Sequence, residues 1–267
     1  MTGQKRAVIL SVLAAVLLAA VLAGLLVAGS LWGIPPFGGL MEKRLSRLAG
    51  NGEEYAAEHV LPLDGSPLKG KRIAFLGSSV TYGASSLGTS FVEYLAARNG
   101  FTYHKEAVSG TTLVDNGENS YPARMKRMDC AEEFDLFVVQ LSTNDATKRE
   151  PLGEIAGRNA GNYDTSTVCG AIEYIITYVR EAWGCPVVFY TNAYYESENY
   201  AAMVAALGQI EAEYGIGVID LYTDETFNAI TDEQRSLYMA DGIHPTKAGY
   251  LLWWTPEMEE YLYAFVR

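Results

Sequence analysis

Five short apolar runs, separated by longer stretches with helical periodicity, leave this chain few choices of fold. They are RIAFLG (residues 72–77), FTYHKEAV (101–108), DLFVVQLS (135–142), PVVFYTN (186–192) and GVIDLY (217–222). Each is of strand length and most are rich in β-branched or aromatic residues. Between and after them come helix-like stretches near 90–98, 121–128, 167–183, 199–214 and 246–265. Such alternation predicts parallel strands with helices on both faces of the sheet. The expected architecture is a three-layer α/β/α sandwich around a five-stranded parallel sheet, from about residue 71 to 267.

Ahead of that domain, residues 7–29 (AVILSVLAAVLLAAVLAGLLVAG) carry no charge and follow Lys5 and Arg6. About 20 apolar residues suffice to cross a bilayer. The run is longer than the apolar core of a cleavable signal peptide, so the expectation is an N-terminal signal anchor over residues 1–30. Lys5 and Arg6 place the N-terminus in the cytoplasm and the rest of the chain outside. The alternative is a secreted chain, cut near the small residues Ala28, Gly29 and Ser30. Residues 31–70, with the breakers Pro35, Pro36, Gly38 and Gly39 and the run LPLDGSPLKG, read as a stalk with a short helix.

Composition removes several functions. A net charge of -12 argues against nucleic acid, whose affinity rests on Lys and Arg neutralising phosphates. Cys130, Cys169 and Cys185 form no CxxC pair and have no accompanying His cluster, so neither zinc nor a dithiol redox motif is indicated. Their simplest use is as small buried apolar groups.

The chemistry-bearing residues fall just after the apolar runs, where open α/β sheets bind ligands. Ser78 and Ser79 follow the first run in FLGSSVTYG, bracketed by Gly77 and Gly83. The segment is neither the G-x-S-x-G elbow nor a P-loop, since it lacks the required glycine spacing and lysine. A serine nucleophile needs a base. Of three histidines, His59 falls in the stalk and His104 in a polar strand-like run, whereas His244 lies in ADGIHPTKAGY, three residues after Asp241. An aspartate at that spacing can accept the imidazole N–H and fix the tautomer that deprotonates serine. The competing use of Asp241 is as a helix cap. Asn144, in LSTNDA, offers a neutral amide to a developing oxyanion, and Gly110, in AVSGTT, a backbone N–H. Turn formation is the competing use of both.

In this order, GSSVTYG, VSGTT, STND and DGIHP resemble the four blocks of the SGNH (GDSL-like) hydrolases, over about residues 71–267. The resemblance implies a flavodoxin-like sandwich and a serine esterase with Ser79 as nucleophile and His244 and Asp241 completing the triad. It also implies an oxyanion hole from the Ser79 N–H, the Gly110 N–H and the Asn144 side chain, with no metal or organic cofactor. Two positions depart from the family pattern: Ser78 replaces the usual aspartate of Gly-Asp-Ser, and Ser142 the usual glycine of Gly-x-Asn-Asp. The first departure leaves two adjacent serines to choose between, and alignment with the family favours Ser79.

For the substrate, export favours short acyl groups, such as O-acetyl on envelope or environmental carbohydrates. Lysophospholipase, thioesterase or O-acyltransferase chemistry would use the same triad, and a non-catalytic surface-binding protein is a further alternative. Tyr82, Tyr194, Tyr195, Trp253 and Trp254 are candidates to stack on sugar rings, core packing being the other use of the tryptophans. The connection over 147–164 is long enough to cover a substrate.

Overall fold

The computed structural model describes residues 16–18, 21–22, 24–25 and 38–266. These divide into two compact units, Met1–Arg47 and Leu48–Arg267. In the first, the described residues between 16 and 25 are helical and a helix spans Gly38–Leu45. Most of the 7–29 run lies outside the described residues, and among those described no helix is long and apolar enough to cross a membrane.

The second unit is built on five parallel strands: β1 (Arg72–Gly77), β2 (Thr102–Ala107), β3 (Leu136–Gln140), β4 (Val187–Tyr190) and β5 (Gly217–Ile219). Their order across the sheet is β2-β1-β3-β4-β5. Side chains alternate between two cores, as a period of two requires. Ala74, Leu76, Phe137, Val139, Val187 and Phe189 face one layer, which contains α2 (Val168–Ala182) and α3 (Glu198–Tyr214). Ile73, Phe75, Leu136, Val138, Val188 and Tyr190 face the other, formed by α1 (Phe91–Asn99) and α4 (Thr255–Phe265). The chain leaves β1 toward one layer and β3 toward the other. A crevice therefore opens between these neighbouring strands at their carboxyl ends.

The segment from residue 48 to 70, expected as stalk, contributes to the second unit. Of three short 3-10 turns, Ala49–Asn51 packs against the helical segments at 232–238 and 247–249, whereas Glu53–Tyr55 and Ala57–His59 meet α1, where Tyr94 donates its hydroxyl to Tyr55 O at 2.7 Å. Further on, Leu68 is completely buried, and the Gly70 N–H donates to Gly100 O. Small and apolar residues among the polar ones allow this packing, whereas the sequence there shows no strand or long-helix period.

The connection after residue 147 borders the carboxyl ends of the sheet at Lys148 and Glu150, but its middle runs away from them. It is held at its start by Val168 and Cys169 N–H groups donating to Pro151 and Leu152 carbonyls. Buried Glu173 of α2 then accepts from the Ala156 and Gly157 N–H groups, and Arg158 lies over the Tyr214 ring at the far end of α3. The loop thus runs along the outer helices toward the amino ends of the strands. A carboxylate inside α2, which looks like a surface residue in sequence, is what draws it there.

Candidate active site

β1 ends in Gly77, and the chain turns at once into a single helical turn, Ser79–Tyr82. A Cβ at Gly77 would collide with the Thr81 side chain and lie 2.9 Å from Gln140 Oε1, so this strand-to-helix turn closes only on glycine. Gly83 ends the turn at φ +84°, a conformation that costs glycine little. Ser79 opens the turn, and its N–H is one of the amides that have no acceptor inside a helix.

The two serines are treated differently by the fold. Ser78 is fully buried, its N–H donating to Gln140 Oε1 at 2.8 Å and its hydroxyl to the same oxygen at 3.3 Å. Ser79, 7% exposed, directs Oγ to within 2.9 Å of His244 Nε2.

His244 is presented by a tight turn. The Ala240 N–H donates to His244 O, and Met239 bridges Pro245 in antiparallel fashion. Within the turn, Asp241 accepts the Ile243 and His244 backbone N–H groups at 2.8 Å each, and its two oxygens lie 3.0 and 2.9 Å from His244 Nδ1. Burial would raise the Asp241 carboxyl pKa. The hydrogen bond and charge of His244, with the two backbone N–H groups, outweigh burial and hold it down at about 2. An ionised carboxylate can only accept, so Nδ1 carries the proton, and in the neutral ring Nε2 is left free to accept from the Ser79 hydroxyl. Asp241 is thus more than a helix cap: one carboxylate both closes the turn and sets the tautomer.

Gly110 sits in the loop after β2 at φ +81°, with open space where a Cβ would be and its carbonyl held by Lys148 Nζ at 3.0 Å. Asn144 lies in the helical turn Thr143–Lys148 after β3. Its Nδ2 donates one hydrogen to Thr111 O at 2.9 Å, and among the described residues the other amide hydrogen has no partner. Ser142, at the family glycine position, caps this turn by accepting the Asn144 N–H. Buried Asp145 ties the turn to the preceding loop by accepting the Leu113 and Val114 N–H groups at 2.9 and 3.0 Å. Burial pushes its carboxyl pKa up despite opposing hydrogen bonds from Ser142 and these two N–H groups. The Gly110 and Asn144 segments are therefore one cross-linked unit beside the serine turn.

Of the aromatic candidates, Trp253 and Trp254 belong to the core, stacked on Phe227 and Phe91. Tyr195 is half-buried, whereas Tyr82 and Tyr194 are 45% and 53% exposed. Two cavities flank the strand ends. One, of about 330 Å³, is lined by hydroxyls, amides and Lys148 beside Gly110. The other, of about 270 Å³, lies between Tyr194, Tyr222, Glu225 and Asn228. His104 pairs with Glu132 at 3.2 Å at the sheet edge, and His59 lies near Glu53. No two cysteines are bonded; Cys169 and Cys185 are buried, burial pushing both thiol pKa values up to about 11, but Cys130 is exposed. No group of three or more potential metal ligands occurs among the described residues.

Sequence reasoning missed Gln140, Arg124 and Lys148, which hold the loops carrying these residues. Gln140 reads as one more strand position and Arg124 as a surface base, so only their burial reveals them.

Comparison with known proteins agrees with this fold. The model of the GDSL-like Lipase/Acylhydrolase family matches residues 75–252. Among solved structures, a protein from Lactobacillus plantarum is 23% identical at a TM-score of 0.59, covering 74% of this chain and 97% of its own. The acetylxylan esterase Axe2 from Geobacillus stearothermophilus is 14% identical at a TM-score of 0.52, with 74% and 96% covered. A family two carbohydrate esterase from Clostridium thermocellum, solved with cellohexaose, is 16% identical at a TM-score of 0.51, with 76% and 63% covered. No curated protein matches the sequence.

Proposed function

Because the chain belongs to the GDSL-like lipase/acylhydrolase family, whose members act on ester bonds, we propose that it removes short acyl groups, O-acetyl above all, from carbohydrate esters. The reading rests chiefly on the unbroken relay from Ser79 Oγ through His244 to an Asp241 carboxylate held ionised. Ser79 attacks the acyl carbon while His244 Nε2 takes its proton, and Asp241 stabilises the imidazolium. The Ser79 and Gly110 N–H groups and the free hydrogen of the Asn144 amide meet the oxyanion. His244 then returns the proton to the departing alcohol, and water releases the acyl group by the same steps reversed.

The mostly polar walls beside Gly110 favour a short acyl group. A long chain gains affinity by burying methylene groups, each contributing about 0.8 kcal/mol. The cavity beside Gly110 offers it hydroxyls, amides and an ammonium group instead. On the alcohol side, exposed Tyr194 offers a ring face, and the names of the two esterase neighbours favour a sugar. The uncharged 7–29 run supports a single-pass anchor, with the enzyme acting outside the cytoplasm.

A p-nitrophenyl ester series and acetylated xylo-oligosaccharides test the reading. Turnover should peak at acetate and fall with chain length. Ser79→Ala should lose about 10³- to 10⁶-fold in kcat, as expected for a residue of a triad. Ser78→Ala should keep a substantial part, and a fluorophosphonate should label Ser79. A preference for octanoate or lysophospholipid, or a label on Ser78, would overturn it.

A further inference from the structure

The Gly77–Ser78 peptide unit, one residue before the nucleophile, is held at both ends by buried side chains. Arg124, 1% exposed, donates from Nη2 to Gly77 O at 2.7 Å, and the N–H at the other end of that unit, on Ser78, donates to Gln140 Oε1. The same guanidinium reaches Thr111 Oγ1 at 3.1 Å, Glu106 O at 2.8 Å and Asn119 O at 2.9 Å. Gln140 Oε1 also accepts from Thr81 Oγ1 at 2.8 Å, on the far side of the serine turn.

We propose that Arg124, with Gln140, is a positioning device for the oxyanion hole: it fixes the serine turn against the glycine loop and so sets the separation of the Ser79 and Gly110 N–H groups. The proposal rests on the reading that these two groups bind the oxyanion. Geometry is its warrant. A guanidinium is a rigid planar fork of five donors, and here its bonds span the end of β1, the end of β2 and the residue after Gly110. No shorter or singly pointed cation could reach all of them.

Packing alone does not call for this residue. A buried charge costs several kcal/mol of desolvation, and apolar residues of similar volume often serve stability as well or better. Among the described residues the only carboxylate on it is Glu106 at 3.3 Å, and the Tyr121 ring centroid lies 5.1 Å away. Most of its hydrogen bonds go instead to backbone oxygens at the ends of β1 and β2 and at Asn119.

The test uses the full chain and p-nitrophenyl acetate, with kcat, KM and thermal unfolding measured for Arg124→Ala, Arg124→Lys and Thr111→Val. Arg124→Lys keeps the charge and loses the fork. Both Arg124 variants should lose about 10- to 100-fold in kcat, the scale of a small misplacement of reacting groups, with KM nearly unchanged. Guanidinium ion, well below denaturing concentrations, should restore part of the rate of Arg124→Ala, while sodium at equal ionic strength should not. If Arg124→Ala does not fold, Thr111→Val decides. It removes one acceptor of the fork, together with the hydroxyl's own bond to Val108 O at 2.7 Å, and should lower kcat at least about 3- to 10-fold, the worth of one hydrogen bond, with its melting temperature nearly held. Full kcat in a folded Arg124→Lys or Thr111→Val, or a loss in Arg124→Ala that follows the fraction unfolded and is not rescued, overturns the proposal. Ser79→Ala, run in parallel, separates the two readings: if it stays active, the assignment of the site itself has failed.

Discussion

Asp241 has the most surroundings-dependent chemistry of any residue at the site. Its oxygens accept two backbone N–H groups and the His244 ring, which together overcome burial and hold its pKa at about 2. A carboxyl whose folded pKa lies below its unfolded value of about 3.9 contributes stability above that value, and loses it as pH falls through about 2. Asp241→Asn should therefore melt below the parent chain at neutral pH, and the gap should close on acidification between about pH 4 and 2. The activity cost should be far larger than the stability cost, because asparagine can present N–H where Nδ1 needs an acceptor and so favour the wrong tautomer. A loss of about 10⁴-fold in kcat is the scale of the corresponding triad substitution. A gap in melting temperature that persists unchanged to pH 2, or a kcat within tenfold of the parent, would show that Asp241 neither titrates nor acts as described.

Among the elements, the short turns of residues 48–59 carry more than their sequence suggests. Buried Asn51 accepts the Lys247 N–H at 2.9 Å and donates to Ser85 O at 2.8 Å. It thereby links the helix that follows His244 to the loop that follows Ser79. Gly50 is packed so closely that a Cβ would collide with Leu237 O and the Thr246 side chain. A chain beginning at residue 48 should keep full activity, whereas one beginning at residue 60 should lose both stability and rate. Asn51→Ala should cost about 1–3 kcal/mol, the range for leaving a buried hydrogen-bonding partner unsatisfied. Denaturant unfolding and p-nitrophenyl acetate turnover check both. If the chain from residue 60 were as stable and active as the longer one, residues 48–59 would be a tether and nothing more.

For the whole molecule, the sharpest contrast lies between an acidic catalytic chain and an uncharged N-terminal run. The net charge of -12 gives no attraction to anionic lipid headgroups. Membrane association would then rest on residues 7–29 alone. Carbonate-washed membranes from expressing cells should retain the full-length chain, and a chain lacking residues 1–30 should be released. Recovery of a soluble product starting near Ser30 would mean that the run is a cleaved signal.

The sequence by itself determined the α/β layers of the fold and nominated the residues of the site. Strand and helix periods are local, so the β1, β3 and β4 runs could be read directly, and four short motifs placed Ser79, Gly110, Asn144 and His244 at the ends of such runs. Asp241 was legible for the same reason: a three-residue separation is closed by one turn, and no distant part of the chain need be known. What only the tertiary structure decided depends on contacts between distant residues. The different surroundings of Ser78 and Ser79 depend on Gln140, 62 residues beyond the first serine, which takes it up, and on His244, which meets the second. The course of the 147–164 loop was set by Glu173 and the core position of Trp253 and Trp254 by their partners Phe227 and Phe91. In the same way, an arginine in YPARMKR has the composition of a surface helix, and only backbone carbonyls converging from the ends of β1 and β2 and from the loop at Asn119 give it buried partners. Local periodicity can announce which face of an element is apolar, but a polar side chain takes its meaning from the groups it meets, and chain folding alone brings those together.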